Sequence, residues 1–367
     1  MIDVDGSLGE GGGQILRTAV VLASVLVKDV RVSKIRAGRS QPGIMAQHLA
    51  GVKAAAQLCQ ASLEGAVVGS SQLEYRPGRA KAGSFRFDVG TAGSVTLVLQ
   101  VLMPVLAFAP EPSETQVTGG TDVRWSPPTD YLQLVTLPCL RRMGYDADLT
   151  LVRRGHYPRG GGEVHFSSTP ATCLRGLVGA DGGEMARIEG VSHATGLPRN
   201  VAERQAVAVE KILAERGLPI PNITLDYSQP SLSLSPGSGV VLCGTREDGA
   251  VLGADGLGER GKPAEEVGAE AGRRLIEEAE SGAFLDRHMG DMIVPYMALA
   301  EGVSEVSVSQ ITQHTLTNVR VAELLAGVHF HVQGELGKRG VVRVKGLGLR
   351  SPVGSSSSTE AIPSPPP

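Results

Sequence analysis

The side chains able to do chemistry gather in a few polar stretches. Glu10, Gln14 and Arg17 flank a GGG run at the point where an apolar stretch begins. A helix starting there would offer free backbone N–H groups and the positive end of its dipole, a setting that favours an anion. It is not a Walker A loop, since no GxxxxGK[ST] surrounds it. Tight helix packing would use the same glycines. A second stretch holds Arg36 and Arg39, a third holds Asp122, Arg124, Trp125 and Asp130, and a late one, QHTLTN, holds His314. Between them RRGHYPRGGGEV, from Arg153, joins arginines, His156 and three successive glycines. Such a segment either brings backbone close to a phosphate or simply turns between two strands. His156 and His288 compete with His314 for any histidine chemistry, and no GxSxG elbow supports a hydrolytic triad.

These stretches recur at the same place in a succession of elements. In the first segment a Gly-rich lead-in, GEGGGQ, is followed by an apolar helix (ILRTAVVLASVL), a strand (VRVSKI), the polar loop RAGRSQPG and a helix (IMAQHLAGVKAAAQLC). The second runs GTAGS, VTLVLQVLMPVLAFA, ETQVTGG, TDVRWSPPTD, YLQLVTLPCLRRM, and the third runs RHMGD, MIVPYMALAEG, VSEVSVSQ, the loop ITQHTLTN, VRVAELLAG. Short alternating strands close each segment, such as ADLTLV with GGEVHF. Three such units, each with two helices to cover a sheet face, predict an α/β (α+β) fold with repeated units. If the units superpose, their polar loops converge.

An interruption from about Leu177 to Ser281 carries its own strands and helices, the content of a smaller inserted α/β domain. The expected division is residues 1–176 for the first two units, 177–281 for the insertion, 282–350 for the third unit, and a Ser- and Pro-rich solvated tail over 351–367. One continuous sheet with no boundary is the alternative.

Composition narrows the function. Glycine supplies 48 of 367 residues, yet without a three-residue period and with 41% hydrophobic residues, which excludes collagen and a disordered chain. A formal net charge of −3 argues against a protein that coats duplex nucleic acid through many phosphates. A nucleic-acid end or a nucleotide remains a fitting partner. The opening residues lack the character of a signal peptide and no apolar run is long enough to span a membrane, so the expectation is a soluble, cytoplasmic protein. Cys59, Cys139, Cys173 and Cys243 lie far apart without a CxxC pair, which argues against a zinc site or disulfide framework and for buried thiols.

Taken together, EGGGQILRT, RAGRSQPGIMAQH, RGHYPRGGGEV, and a late HMGD followed by QHTLTN resemble the RNA 3′-terminal phosphate cyclases, in family order and up to about Arg350. The resemblance implies three repeated units, each a four-stranded sheet with two helices, plus a smaller inserted domain. It also implies ATP-dependent conversion of an RNA 3′-phosphate to a 2′,3′-cyclic phosphodiester. The route passes through a covalent histidine–AMP intermediate and an RNA-adenylate. His314 matches the adenylated histidine, and Arg17, Arg36 and Arg39 match positions near the phosphates. Glu10 with Gln14 matches the metal and phosphate end of the ATP site, where a carboxylate could bind Mg²⁺ or Mn²⁺. Gln47, Gln100 and Pro127 match residues lining the nucleotide pocket, and His288, Met289, Gly290, Asp291 and Met292 match a late nucleotide-binding element. That element typically reads [HY]-L-A-D-Q in the family. Here its last position is Met292, which has no hydrogen bond to donate. A non-catalytic, cyclase-like ribosome-assembly branch shares the fold but lacks the nucleophile, so His314 with Arg17 and Arg39 favours the enzyme. Enolpyruvyl transferases also use repeated units of this kind. The expected partners are ATP and an RNA 3′-phosphate end, with no membrane; a homodimer is compatible with the sequence.

Overall fold

Apolar runs and period-two alternation write most of this architecture. The computed structural model describes residues 1–9, 11–90, 92–179, 181–228 and 234–352. Glu10 and the expected tail beyond residue 352 therefore lie outside the described residues. The first sheet is built from β1 (Ile2–Asp5), β2 (Val30–Ser33), β3 (Ser62–Glu64) and β4 (Leu73–Arg76), with α1 (Gly13–Leu26) and α2 (Ala46–Cys59) between its strands. Its order is β1-β2-β4-β3, the first pair parallel and the other two antiparallel. The second sheet contains β5 (Gly83–Asp88), β6 (Ser113–Gly119), β7 (Asp146–Arg153) and β8 (Gly162–Thr169) in the order β5-β6-β8-β7, again with one parallel and two antiparallel pairs. Its helices are α3 (Val95–Leu106) and a continuous rod formed by α4 (Thr129–Tyr131), a π-helical turn (Leu132–Thr136) and α5 (Leu137–Arg142).

Next comes β9 (Val178–Gly179), then a run of β10 (Met185–Thr195), α6 (Asn200–Ala214), β11 (Asn222–Ser228), β12 (Gly237–Arg246), β13 (Val251–Leu257) and α7 (Ala264–Glu280). The chain ends in α8 (Arg287–Met292), α9 (Val294–Leu299), β14 (Val303–Val308), α10 (Gln313–Ala326), β15 (Phe330–Gly334) and β16 (Gly340–Lys345). β10 to β13 form their own sheet, ordered β11-β10-β12-β13. The remaining sheet is ordered β15-β16-β14-β9. Val178 and Gly179, expected within the insertion, thus pair in parallel with β14, because their carbonyl and amide groups complete an edge of that sheet.

Two further expectations change. QHTLTN, expected as a loop, is the start of α10, because the Thr312 hydroxyl caps the helix by accepting from the Thr315 amide at 3.0 Å. RHMGD, expected as a lead-in, is the body of α8, capped by Asp286. The chain also remains fastened at Ser351, whose hydroxyl donates to the Ala109 carbonyl at 3.0 Å, so the packed structure includes the first residue of the expected tail.

α1 and α3 are buried almost all round, as expected of helices apolar on every face. α1 packs against α2, α3 and α10. The hydrophobic residues separate into two clusters. A large one holds α1, α3, α9 and the inner faces of three sheets, and a small one lies between α6, α7 and the fourth sheet. β12 divides its side chains between them: Val240 and Leu242 enter the small cluster, while Val241 and Cys243 enter the large one. Cys59, Cys139 and Cys243 are buried free thiols, and Cys173 is half-buried. No helix among the described residues is long and apolar enough to cross a membrane.

The fully buried Asp286 carboxylate ties these layers together. It accepts from the Tyr131 hydroxyl at 2.7 and 2.9 Å, from the Gly253 amide at 2.8 Å, and from the His288 and Met289 amides at 2.8 and 2.9 Å. Tyr131→Phe removes one charge-assisted donor while conserving volume. It is expected to cost about 2 kcal/mol, read as a lower urea midpoint with an unchanged slope.

Candidate active site

The N-terminus of α10 places His314 in the first turn, one residue beyond Gln313 and two beyond the Thr312 cap. Polar, β-branched residues make this a weak helix in isolation, so neighbours must hold it. Asp291 on α8 does so. Its Oδ1 accepts from the Thr312 hydroxyl at 2.5 Å and the Thr315 hydroxyl at 2.7 Å. Burial pushes the Asp291 carboxyl above its usual range, while the two hydroxyls and the nearby His314 and His288 act in the opposite direction. His314 and Asp291 are therefore electrostatic neighbours.

Asn318, one turn after His314, is fully buried and joins three helices. Its Nδ2 donates to the Asp291 carbonyl at 2.7 Å, while its Oδ1 accepts from the Thr18 hydroxyl at 2.7 Å and Gln14 Nε2 at 3.1 Å. Gln14 in turn accepts a hydrogen bond from Arg17. Gln14, Arg17, Thr18, Gln100, Asp291 and Met292 line one crevice between α1, α3 and α8. Gln100 Nε2 reaches Met292 Sδ at 3.1 Å, so the methionine is engaged as a weak acceptor at the position where the family pattern has glutamine.

A cationic wall stands beside this crevice. Arg36 follows β2 with φ 54°, a left-handed backbone that disfavours a side chain with Cβ. Burial, then Arg17 and Arg36, push His48 down to about 3, leaving its imidazole neutral between two guanidinium groups. The approach to α1 is so close that a Cβ at Gly13 would lie 2.0 Å from His48 Nε2, which explains glycine there. Two or more arginines with helix N-termini suit the binding of phosphate oxygens.

Other predicted residues have different surroundings. Pro127 offers its carbonyl to the Thr96 hydroxyl at 2.7 Å, which ties it to α3, the helix that carries Gln100. Gln47 is half-buried in the first turn of α2, next to His48, and Arg39 is exposed in the loop after Arg36. His288 is exposed and meets the Tyr131 ring edge-on. Met289 is fully buried in the large core, and Gly290 packs against Val308, so these two do not line the crevice. Glu10 lies outside the described residues. His48 and Asn318 were missed as site residues, although each sits inside a stretch already singled out, RAGRSQPGIMAQH and QHTLTN.

A larger groove of about 730 Å³ lies between α6 and α7, but Glu203, Arg204, Lys211, Glu265 and apolar neighbours line it without a nucleophile. Size favours that groove; His314 does not line the crevice either, but Asn318 and Asp291 tie the crevice to the His314 turn, and that favours it.

Comparison with known proteins identifies the family. A family model described as RNA 3′-terminal phosphate cyclase matches residues 8–332. A protein of that name from Ignicoccus hospitalis is 49% identical over 350 residues, covering 95% of this chain and 99% of its own. One from Hyperthermus butylicus is 48% identical over 355 residues, covering 95% and 98%. Among solved structures, the enolpyruvyl transferase NikO from Streptomyces tendae aligns at 12% identity and a TM-score of 0.35, with 95% of this chain on about half (48%) of that one.

The His48 shift has a pH signature. Because the folded state holds His48 near 3 against an ordinary 6.5, the unfolded chain binds the proton first, and stability falls as pH drops from about 6.5 towards 3. His48→Gln should flatten that loss relative to the parent protein, as measured by urea unfolding at pH 7, 5 and 4.

Proposed function

The chain belongs to the RNA 3′-terminal phosphate cyclase family, and we propose that it uses ATP to close an RNA 3′-terminal phosphate onto the adjacent 2′-hydroxyl through an adenylated His314. The observation that carries this reading is His314 on the first turn of α10, beside Asp291 and on the same helix as Asn318, which reaches Gln14 at the Arg17 crevice.

A phosphate monoester dianion resists attack and has no good leaving group, so activation must precede ring closure. An imidazole nitrogen of His314 attacks the α-phosphorus of ATP, and the bond to the β-phosphate oxygen breaks with release of pyrophosphate. An oxygen of the RNA 3′-phosphate then attacks that phosphorus. The N–P bond breaks, and a 3′-phosphate–AMP anhydride forms. Finally the 2′-hydroxyl oxygen attacks the terminal RNA phosphorus, loses its proton to solvent or a base, and expels AMP.

Arg17 and Arg36 supply fixed positive charge for the phosphates, with Arg39 on the exposed loop nearby. Gln14 orients Arg17, and Asp291 with Thr312 and Thr315 fixes the turn that carries His314. Gln100 and Pro127 border α3 on the nucleotide side, with Gln47 and the α8 residues His288 and Met292 around them. Met289 and Gly290 serve α8 by packing rather than contact. The Glu10 carboxylate suits a hard cation, Mg²⁺ or Mn²⁺, which would neutralise triphosphate charge when bound. We further infer that the three main sheets descend from one repeated unit. Their common strand order supports this, whereas the insertion, with the same run of one parallel and two antiparallel pairs, orders its strands differently.

Incubation with ATP labelled at the α-phosphate and a divalent cation should give an acid-labile protein adduct, and His314→Ala should abolish it. An RNA ending in a 3′-phosphate should become phosphatase-resistant, whereas one ending in a 3′-hydroxyl should be unchanged. Binding of RNA or ribosomal proteins without any adduct would instead support an assembly role.

A further inference from the structure

A second group of chemistry-bearing side chains lies buried away from the crevice, unused by cyclisation. Asp122 follows β6, His156 sits in the turn between β7 and β8, and His193 lies on β10; they are 2%, 3% and 1% exposed. The group therefore sits where the second sheet meets the inserted one. One ligand atom from each residue lies within 4.8 Å of the others, and His193 Nε2 is 3.9 Å from Asp122 Oδ1. The two imidazole rings stack at 5.4 Å.

Among the described residues, three ring nitrogens here, His156 Nε2 and both nitrogens of His193, are buried without a hydrogen-bond partner. Buried polar atoms are rarely left so.

The surroundings admit the two rings and supply charge for an ion. A Cβ at Gly237 would lie 2.2 Å from His156 Cγ, and one at Gly239 would lie 2.9 Å from His193 Cε1. Glycine at these β12 positions is what admits the rings. Arg154 is the single cation paired with three carboxylates, Asp122 at 3.3 Å, Asp130 at 2.8 Å and Asp226 at 2.7 Å. Two negative charges are left over, the amount a dication cancels. Burial pushes Asp130 above its usual range.

We propose that Asp122, His156 and His193 form a structural site for a divalent cation of the zinc class, fastening the inserted sheet to the second sheet. Two imidazoles and one carboxylate are a zinc donor set, unlike the all-oxygen set that suits Mg²⁺. Zinc bonds of about 2.0–2.2 Å put ligand atoms roughly 3.3 Å apart, so a small side-chain shift closes the group around the ion, with water as fourth ligand. The cysteine pattern argued against a zinc site; this one needs no thiolate.

The test uses the full-length protein, stripped by a chelator, loaded with Zn²⁺ and desalted. The expected result is one retained zinc per chain, with X-ray absorption at the zinc edge showing two imidazole ligands. His193→Gln and His156→Gln should each lose that equivalent, whereas Glu10→Gln should keep it. No retained zinc in the parent protein, undiminished zinc in the histidine variants, or a zinc shell of oxygen ligands alone would overturn the proposal. Should both histidine variants fail to fold, the imidazole count in the parent protein decides.

Discussion

One buried amide holds the candidate site together. Asn318 receives protons from α1 through Thr18 and Gln14 and gives one to the backbone of α8, while belonging to α10 itself. Each of these helices carries a different part of the proposed chemistry: the arginine, the acidic residue and the histidine. An amide that is fully hydrogen-bonded in a region of low dielectric tolerates little displacement, because any slip leaves polar atoms buried and unsatisfied. The spacing between Arg17, Asp291 and His314 is thus set by a residue that need not touch a substrate.

The same logic extends outward in weaker form. The inserted domain has its own core, yet β12 sends alternate side chains into the main one, so its sheet is a shared wall rather than an appendage. Asp286 reinforces that wall by joining Tyr131, Gly253 and the first turn of α8. Since α8 also carries Asp291, the insertion and the site are linked through a helix of six residues.

Much of this was legible in the sequence, for identifiable reasons. α1 and α3 declare themselves because an apolar run of that length has few alternatives, and β6 and β8 alternate as half-buried strands must. His314 was also readable as a candidate, but its setting was not. QHTLTN looks like a loop because threonine and asparagine favour turns, and the Thr312 cap with the contacts to Asp291 on α8 makes the stretch helical. His48 hid for a similar reason: its neutrality comes from burial and from Arg17 and Arg36, which spacing alone does not bring together. The pairing of β9 was invisible because two residues carry no periodicity. His193 belongs to a strand whose neighbours give no hint of Asp122 or His156.

That short strand also sets an order of events during synthesis. β9 is made before the insertion, yet its partner β14 comes after it, and the Leu177 amide meets the Ser304 hydroxyl across 127 positions of chain. At roughly 5–20 residues per second, the ribosome needs on the order of 6–25 s to supply that partner. The insertion can form its own sheet during that interval, and its compaction shortens the loop that must close. The nascent chain therefore acquires its third main sheet last, and with it the α10 turn that presents His314.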